Sequence, residues 1–171
     1  GTGDSVIGDD LTSTNDGFAF ATNVTLTSTD ALTIQTGEGA GDDLVITGTL
    51  TETNNPDLTI DAGEFGNITL TGAVDLGTGT LTIRDAAIVA FDNTFAADAF
   101  TQTDGTTSTT FTGATATTNA FDFNGAILNL NGATNTAATM TITNSGQFTT
   151  GDAATMVIAN AFIQDAAGVN V

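Results

Sequence analysis

Apolar residues recur along this chain as pairs two positions apart, with a polar or small residue between them. The stretch 57–83, DLTIDAGEFGNITLTGAVDLGTGTLTI, shows it most plainly: Leu58-Thr59-Ile60, Ile68-Thr69-Leu70 and Leu81-Thr82-Ile83. Further pairs run from Phe18/Phe20 through Val24/Leu26, Leu32/Ile34, Leu44/Ile46, Val74/Leu76, Val89/Phe91, Phe121/Phe123, Leu128/Leu130, Met140/Ile142 and Met156/Ile158 to Val169/Val171. Alternation with period two is the mark of a strand that buries one face. No stretch sustains a 3.6-residue period. Thr, Gly, Asn and Asp, which dominate the chain, are poor helix formers. The one place a helix could form, the Ala-richer stretch 95–100, is short and is broken by Asp98.

The predicted strands are three to five residues long. They are separated by turn-forming runs such as Thr36-Gly37-Glu38-Gly39, Gly63-Glu64-Phe65-Gly66-Asn67, Thr103-Asp104-Gly105 and Asn144-Ser145-Gly146. Short strands at short spacing suit two architectures, a β-solenoid and a β-sandwich or jelly roll. Two features favour the solenoid. Asn-Gly hairpin signals are few, the main ones being Asn124-Gly125 and Asn131-Gly132. The pattern is also loosely periodic: Leu58 to Leu81 is 23 residues, with the Ile68 triplet between them, and Phe121 to Met140 is 19. Coils of about 20–25 residues, each with two or three parallel strands, fit this spacing. The expected fold is therefore a single all-β solenoid over 1–171. Apolar residues would stack inward, and the central Thr of each triplet would face out to bond its neighbours above and below. Segment 92–120 is the least regular, with Phe95, Phe100 and Phe111 as its large apolar residues. Either those rings fill the interior or a loop bulges out there.

Composition narrows the function. Among 171 residues there is one cation, Arg84, against 20 acids, a formal charge of -19; Lys, His, Cys, Trp and Tyr are absent. Nucleic-acid binding requires cations to neutralise phosphates, and an anionic lipid surface would repel this chain. No apolar run approaches the length of a spanning helix. The aromatic girdle of a membrane barrel would need Trp or Tyr. The expectation is no nucleic acid and no membrane insertion. Mean hydropathy is +0.16, which with the ordered pattern argues for a folded core rather than disorder. An uncompensated charge of this size repels itself unless salt or divalent cations screen it, and such ions are abundant outside cells. The opening GTGDSV reads as the start of a processed or excised segment, and the closing Val169-Asn170-Val171 as a further strand.

The stretch NITLTGAVDLGTGTLTI within 57–83 resembles the β-strand repeats of large bacterial surface proteins of the filamentous-haemagglutinin and autotransporter-adhesin type. LTIQTGEGAGDDLVITGTL (32–50) and MTITNSGQF (140–148) are similar but looser. The chain departs from that style in its uneven coil lengths and in its Phe-rich 91–123 region. The resemblance implies a right-handed parallel β-helix, exported, serving as a stalk or adhesive fibre. The composition is also similar to that of calcium-dependent surface-layer proteins.

The densest carboxylates are Asp9 and Asp10, and Asp42 and Asp43 with the nearby Glu38. Calcium takes several hard oxygen ligands, and Gly-rich turns can present them. These five are the candidate calcium ligands; the plain alternative is that they are solvated turn residues. Paired acids also serve glycoside hydrolysis, but the chain offers no Trp, Tyr or His to hold a sugar or move a proton, so no catalytic site is expected. Thr-x-Thr pairs such as Thr69/Thr71 and Thr78/Thr80/Thr82 are similar to the ladders of ice-binding proteins, and equally to ordinary exposed strand threonines. Asn23-Val24-Thr25 and Asn67-Ile68-Thr69 match the N-glycosylation pattern, which arises readily by chance in such a chain. Arg84 reads as half of a surface ion pair. Neither end of the chain carries a charged or amphipathic cap, and uncapped coils pair with further coils. The sequence thus predicts a non-catalytic, extracellular structural protein of the bacterial cell surface. It would associate end to end with its own kind or with more of the same chain, and could meet a host or neighbouring-cell surface. The rival readings are a sandwich subunit that polymerises into a surface layer or filament, and a ligand- or ice-binding module.

Overall fold

The computed structural model describes residues 3–165; the Val169/Val171 pair lies outside them. The chain winds as a β-solenoid of about eight coils. The first coil consists of β1 (Ser5–Ile7), β2 (Leu11–Thr12) and β3 (Phe18–Phe20); the second of β4 (Val24–Leu26), β5 (Leu32–Gln35) and β6 (Leu44–Ile46). The third has β7 (Leu50–Glu52), β8 (Leu58–Asp61) and β9 (Asn67–Leu70), and the fourth β10 (Val74–Asp75), β11 (Thr80–Asp85) and β12 (Ile88–Phe91). The fifth has β13 (Phe95–Ala97), β14 (Ala99–Gln102) and β15 (Ser108–Phe111), and the sixth β16 (Thr115–Thr117), β17 (Ala120–Gly125) and β18 (Ile127–Leu130). The seventh consists of β19 (Thr134–Asn144) and β20 (Phe148–Thr150), and β21 (Thr155–Gln164) opens the eighth.

Every third strand stacks in parallel, so the coil has three faces. The first runs β1-β4-β7-β10-β13-β16 and the second β2-β5-β8-β11-β14-β17. The third runs β3-β6-β9-β12-β15-β18-β20. β19 joins the first two faces: its start pairs with β16 and its end with β17. The periods seen in the sequence are true coil repeats, because Leu81 lies in register on Leu58 and Met140 on Phe121. Coil length varies. Ser5 pairs with Val24, 19 residues on, and Val24 with Leu50, 26 residues on. Three corners absorb the difference while the ladders stay in step.

The core is a column of the inward-facing members of each triplet. Leu58, Ile60, Ile68, Leu81 and Ile83 are wholly buried, and the central Thr59, Thr69 and Thr82 are half-buried on the outside. In segment 92–120 the rings fill the interior. Phe91, Phe95, Phe100, Phe111 and Phe121 are all buried; Phe100 and Phe121 stack at 4.8 Å, and Phe95 meets Phe100 edge-on at 5.7 Å. The stretch 95–100 is strand, not helix, because it lies in register between neighbouring coils on two faces.

Two local features differ from the sequence expectation. Thr109, Thr115 and Thr117 point inward beside the large rings, where their small volume leaves room. Their hydroxyls are satisfied: Thr109 donates to Gln102 Oε1 at 2.7 Å and Thr115 to Asn135 Oδ1 at 2.8 Å. A buried hydroxyl without such a partner would cost free energy. The second feature is length. β19 and β21 run through the corner between the first two faces, where the others break. No Gly, Pro or Asp interrupts Thr134–Asn144, and a register shift between Ala137 and Thr139 makes the bend instead. The corner between the third and first faces is a glycine column. A Cβ on Gly72 would sit 2.3 Å from the carbonyl oxygen of Gly48, and one on Gly132 would sit 2.1 Å from that of Gly113. At these glycines the coils approach too closely for a side chain.

Candidate functional site

The corner between the second and third faces gathers several acids. Three grooves meet there end to end. The first is lined by Thr12, Gln35 and Glu38 among others. The middle one, about 500 Å³, is lined by Glu38, Asp61, Glu64, Arg84, Asp85 and Asp104, and the last by Asp104, Asn124, Thr143 and Asp165 among others. Glu38 and Asp104 are each shared by adjoining grooves, so a polar channel follows the corner from the first coil to the eighth.

The acids reach this corner because each follows the triplet of its own coil: Asp61 closes β8, Asp85 closes β11, and Asp104 lies in the turn after β14. Asp61 is well provided for. Its Oδ1 accepts the Gly63 backbone N–H at 3.1 Å, and its Oδ2 accepts from Arg84 Nη1, also at 3.1 Å. The Arg84 side chain is 57% exposed and that of Asp61 13%, so water screens most of the pair's attraction. Arg84 therefore pairs with the coil below and not with its neighbour Asp85. The Asp85 carboxyl is raised above the usual Asp value, first by burial and then by Asp104, Asp61 and Glu64; the Ala86 N–H opposes this. Its Oδ1 is enclosed and has no hydrogen-bond partner among the described residues.

The five candidate calcium ligands fall in two turns, Asp9 and Asp10 between β1 and β2, and Glu38, Asp42 and Asp43 between β5 and β6. Asp9 and Asp10 are exposed after β1, where Asp10 Oδ1 accepts the Thr33 N–H of the next coil at 2.7 Å. Glu38 is exposed on the acidic channel. Asp42 Oδ2 closes its own turn by accepting the Gly39 N–H at 2.8 Å. Asp43 Oδ1 accepts both the backbone N–H of Asn67, at 2.8 Å, and its Nδ2, at 3.0 Å. Among the described residues no group of three or more acids is close enough together to hold a metal ion. Asp10, Asp42 and Asp43 thus serve as acceptors for backbone donors that corners leave unpaired.

The two glycosylation-pattern asparagines are likewise engaged: Asn23 Oδ1 accepts the Thr49 N–H at 3.0 Å, and the Asn67 amide holds Asp43. On the second face Thr33, Thr59, Thr82 and Thr101 form one outward column, one per coil, which Asp122 interrupts before Thr141. On the third face Asn129 links Thr110 below, at 3.1 Å, to Thr149 above, at 2.5 Å.

Sequence reasoning passed over Asp61, Glu64, Asp85 and Asp104. The signal that could have found them is position. Each lies within four residues after an inward apolar or Gln side chain of the second face, and Asp61, Asp85 and Asp104 follow one another at about one coil length. No family model, no curated protein and no solved structure matches this chain.

Proposed function

We propose that the chain is a segment of a non-catalytic rod on the outside of a bacterial cell, part of a fibre, adhesin stalk or filament. One observation carries this reading: each coil is bonded to the coils above and below it along three parallel ladders, around one unbroken apolar column. Such a stack is stiff along its axis and grows by adding coils. Eight coils at about 4.8 Å each span roughly 35–40 Å. The acidic coat keeps the rod soluble, and cations outside the cell, calcium among them, screen its charge. The resemblance of residues 57–83 to adhesin repeats supports the same role.

Association with a second copy, or with more of the same polypeptide, is favoured by one feature. β21 pairs only with β19 among the described residues, and its Val157, Phe162 and Ile163 are exposed. An open strand edge with apolar side chains is a template for another strand.

Antibodies raised against the folded chain test the setting. Labelling of intact cells of the source organism is the expected result. Labelling only after the cells are opened would overturn the surface role.

A further inference from the structure

The end of β11 sets two carboxylates against each other. Asp85 is the register partner of Asp61 on the coil below, and the register slips between Ile83 and Asp85. Arg84 thereby turns outward and reaches down to Asp61. Like charges placed directly opposite across a ladder repel. Asp61 escapes the cost through Arg84 and the Gly63 N–H. Asp85 has less relief: the Ala86 N–H serves its carboxyl, but the enclosed Oδ1 meets no donor among the described residues.

The groups around it explain why. Asp61 faces it from β8, Glu64 from the turn after β8, and Asp104 from the turn after β14. Glu38 lines the same groove from the second coil. Arg84 is the only cation in the chain, and it is committed to Asp61. An enclosed oxygen with no donor and several acids nearby favours the neutral acid over the carboxylate.

We propose that Asp85 is a proton-operated clasp between neighbouring coils. With its proton, the carboxyl donates one O–H bond to Asp61, its register partner, and ties the fourth coil to the third at the acidic corner. Without it, Asp85 and Asp61 push those coils apart. The raised value of this carboxyl agrees with that geometry and sets the sign. The folded chain holds the proton more tightly than the unfolded chain does. The added stability is complete below the ordinary Asp value and is lost as pH rises through the raised one. The rod therefore tightens in mildly acid surroundings.

The test is thermal unfolding of the full chain between pH 4 and 8 for wild type, Asp85→Asn and Asp122→Asn. Asn at 85 mimics the protonated acid. Asp122, an outward acid on the same face, controls for the loss of one negative charge from a highly acidic protein. The expected result is that Asp85→Asn raises Tm at pH 7.5 by about 2–4 °C more than Asp122→Asn does, and that this excess vanishes toward pH 4. No excess at pH 7.5, or an excess independent of pH, would overturn the proposal. A second readout does not need the variant to fold. In wild-type protein the Asp85 carboxyl carbon, followed by NMR, should titrate above the ordinary Asp value; titration at or below that value also overturns the clasp.

Discussion

Phe111 lies flat on Phe91, one coil below: their ring centroids are 4.3 Å apart and their planes differ by 4°. Phe95, Phe100 and Phe121 pack edge-on around Phe111 at 5.3–5.5 Å. This cluster fills the middle of the rod where threonine replaces larger inward residues. Phe111→Ala should therefore open a cavity and cost about 3–5 kcal/mol, read as a fall in the urea midpoint with little change in slope. Phe111→Leu should cost much less.

The glycine corner makes an opposite demand. A methyl on Gly132 would run into the Gly113 carbonyl on the coil below. Gly132→Ala should destabilise by about 1–3 kcal/mol through overpacking. Gly3→Ala, where a Cβ meets nothing within 4 Å, should leave the unfolding midpoint unchanged.

The acids of the calcium candidate set differ in what they hold. Asp43→Ala removes the acceptor for two Asn67 donors and should cost about 1–3 kcal/mol. Asp9 is exposed and accepts no hydrogen bond from the other described residues, so Asp9→Ala should fall within about 0.5 kcal/mol of wild type. Chemical denaturation of the two variants side by side checks the contrast.

With -19 charges on 171 residues, self-repulsion should dominate the ionic response. Raising sodium chloride from low to physiological strength should raise Tm, because charges beyond a Debye length of about 8 Å cease to interact. Calcium and magnesium should act alike, as screening by diffuse ions requires. A calcium-only gain that saturates near one ion per chain would instead show a built site.

Much of this architecture is legible in the residues. The 23-residue step from Leu58 to Leu81 and the 19-residue step from Phe121 to Met140 are the coil repeat itself. Period-two patterning survives because each inward residue has a buried column to join. The pattern fails where polar residues turn inward. Thr109, Thr115 and Asn135 look like surface positions until their partners across coils are known. The acidic corner was hidden for a related reason. Asp61, Asp85 and Asp104 become neighbours only once uneven coil lengths are fixed, and the slip at Arg84 shifts Asp85 by one place. The calcium candidates lie in two turns, and Asp10, Asp42 and Asp43 are there engaged with backbone N–H groups.

The central claim is a linear stack in which each coil is held mainly by the ladders it shares with its neighbours, and single-molecule pulling on the two ends of the chain tests it most directly. The account predicts successive releases of one coil each, 19 to 26 residues, or roughly 65–95 Å of contour length per step. A single release of the whole chain, with no step near one coil, would contradict it.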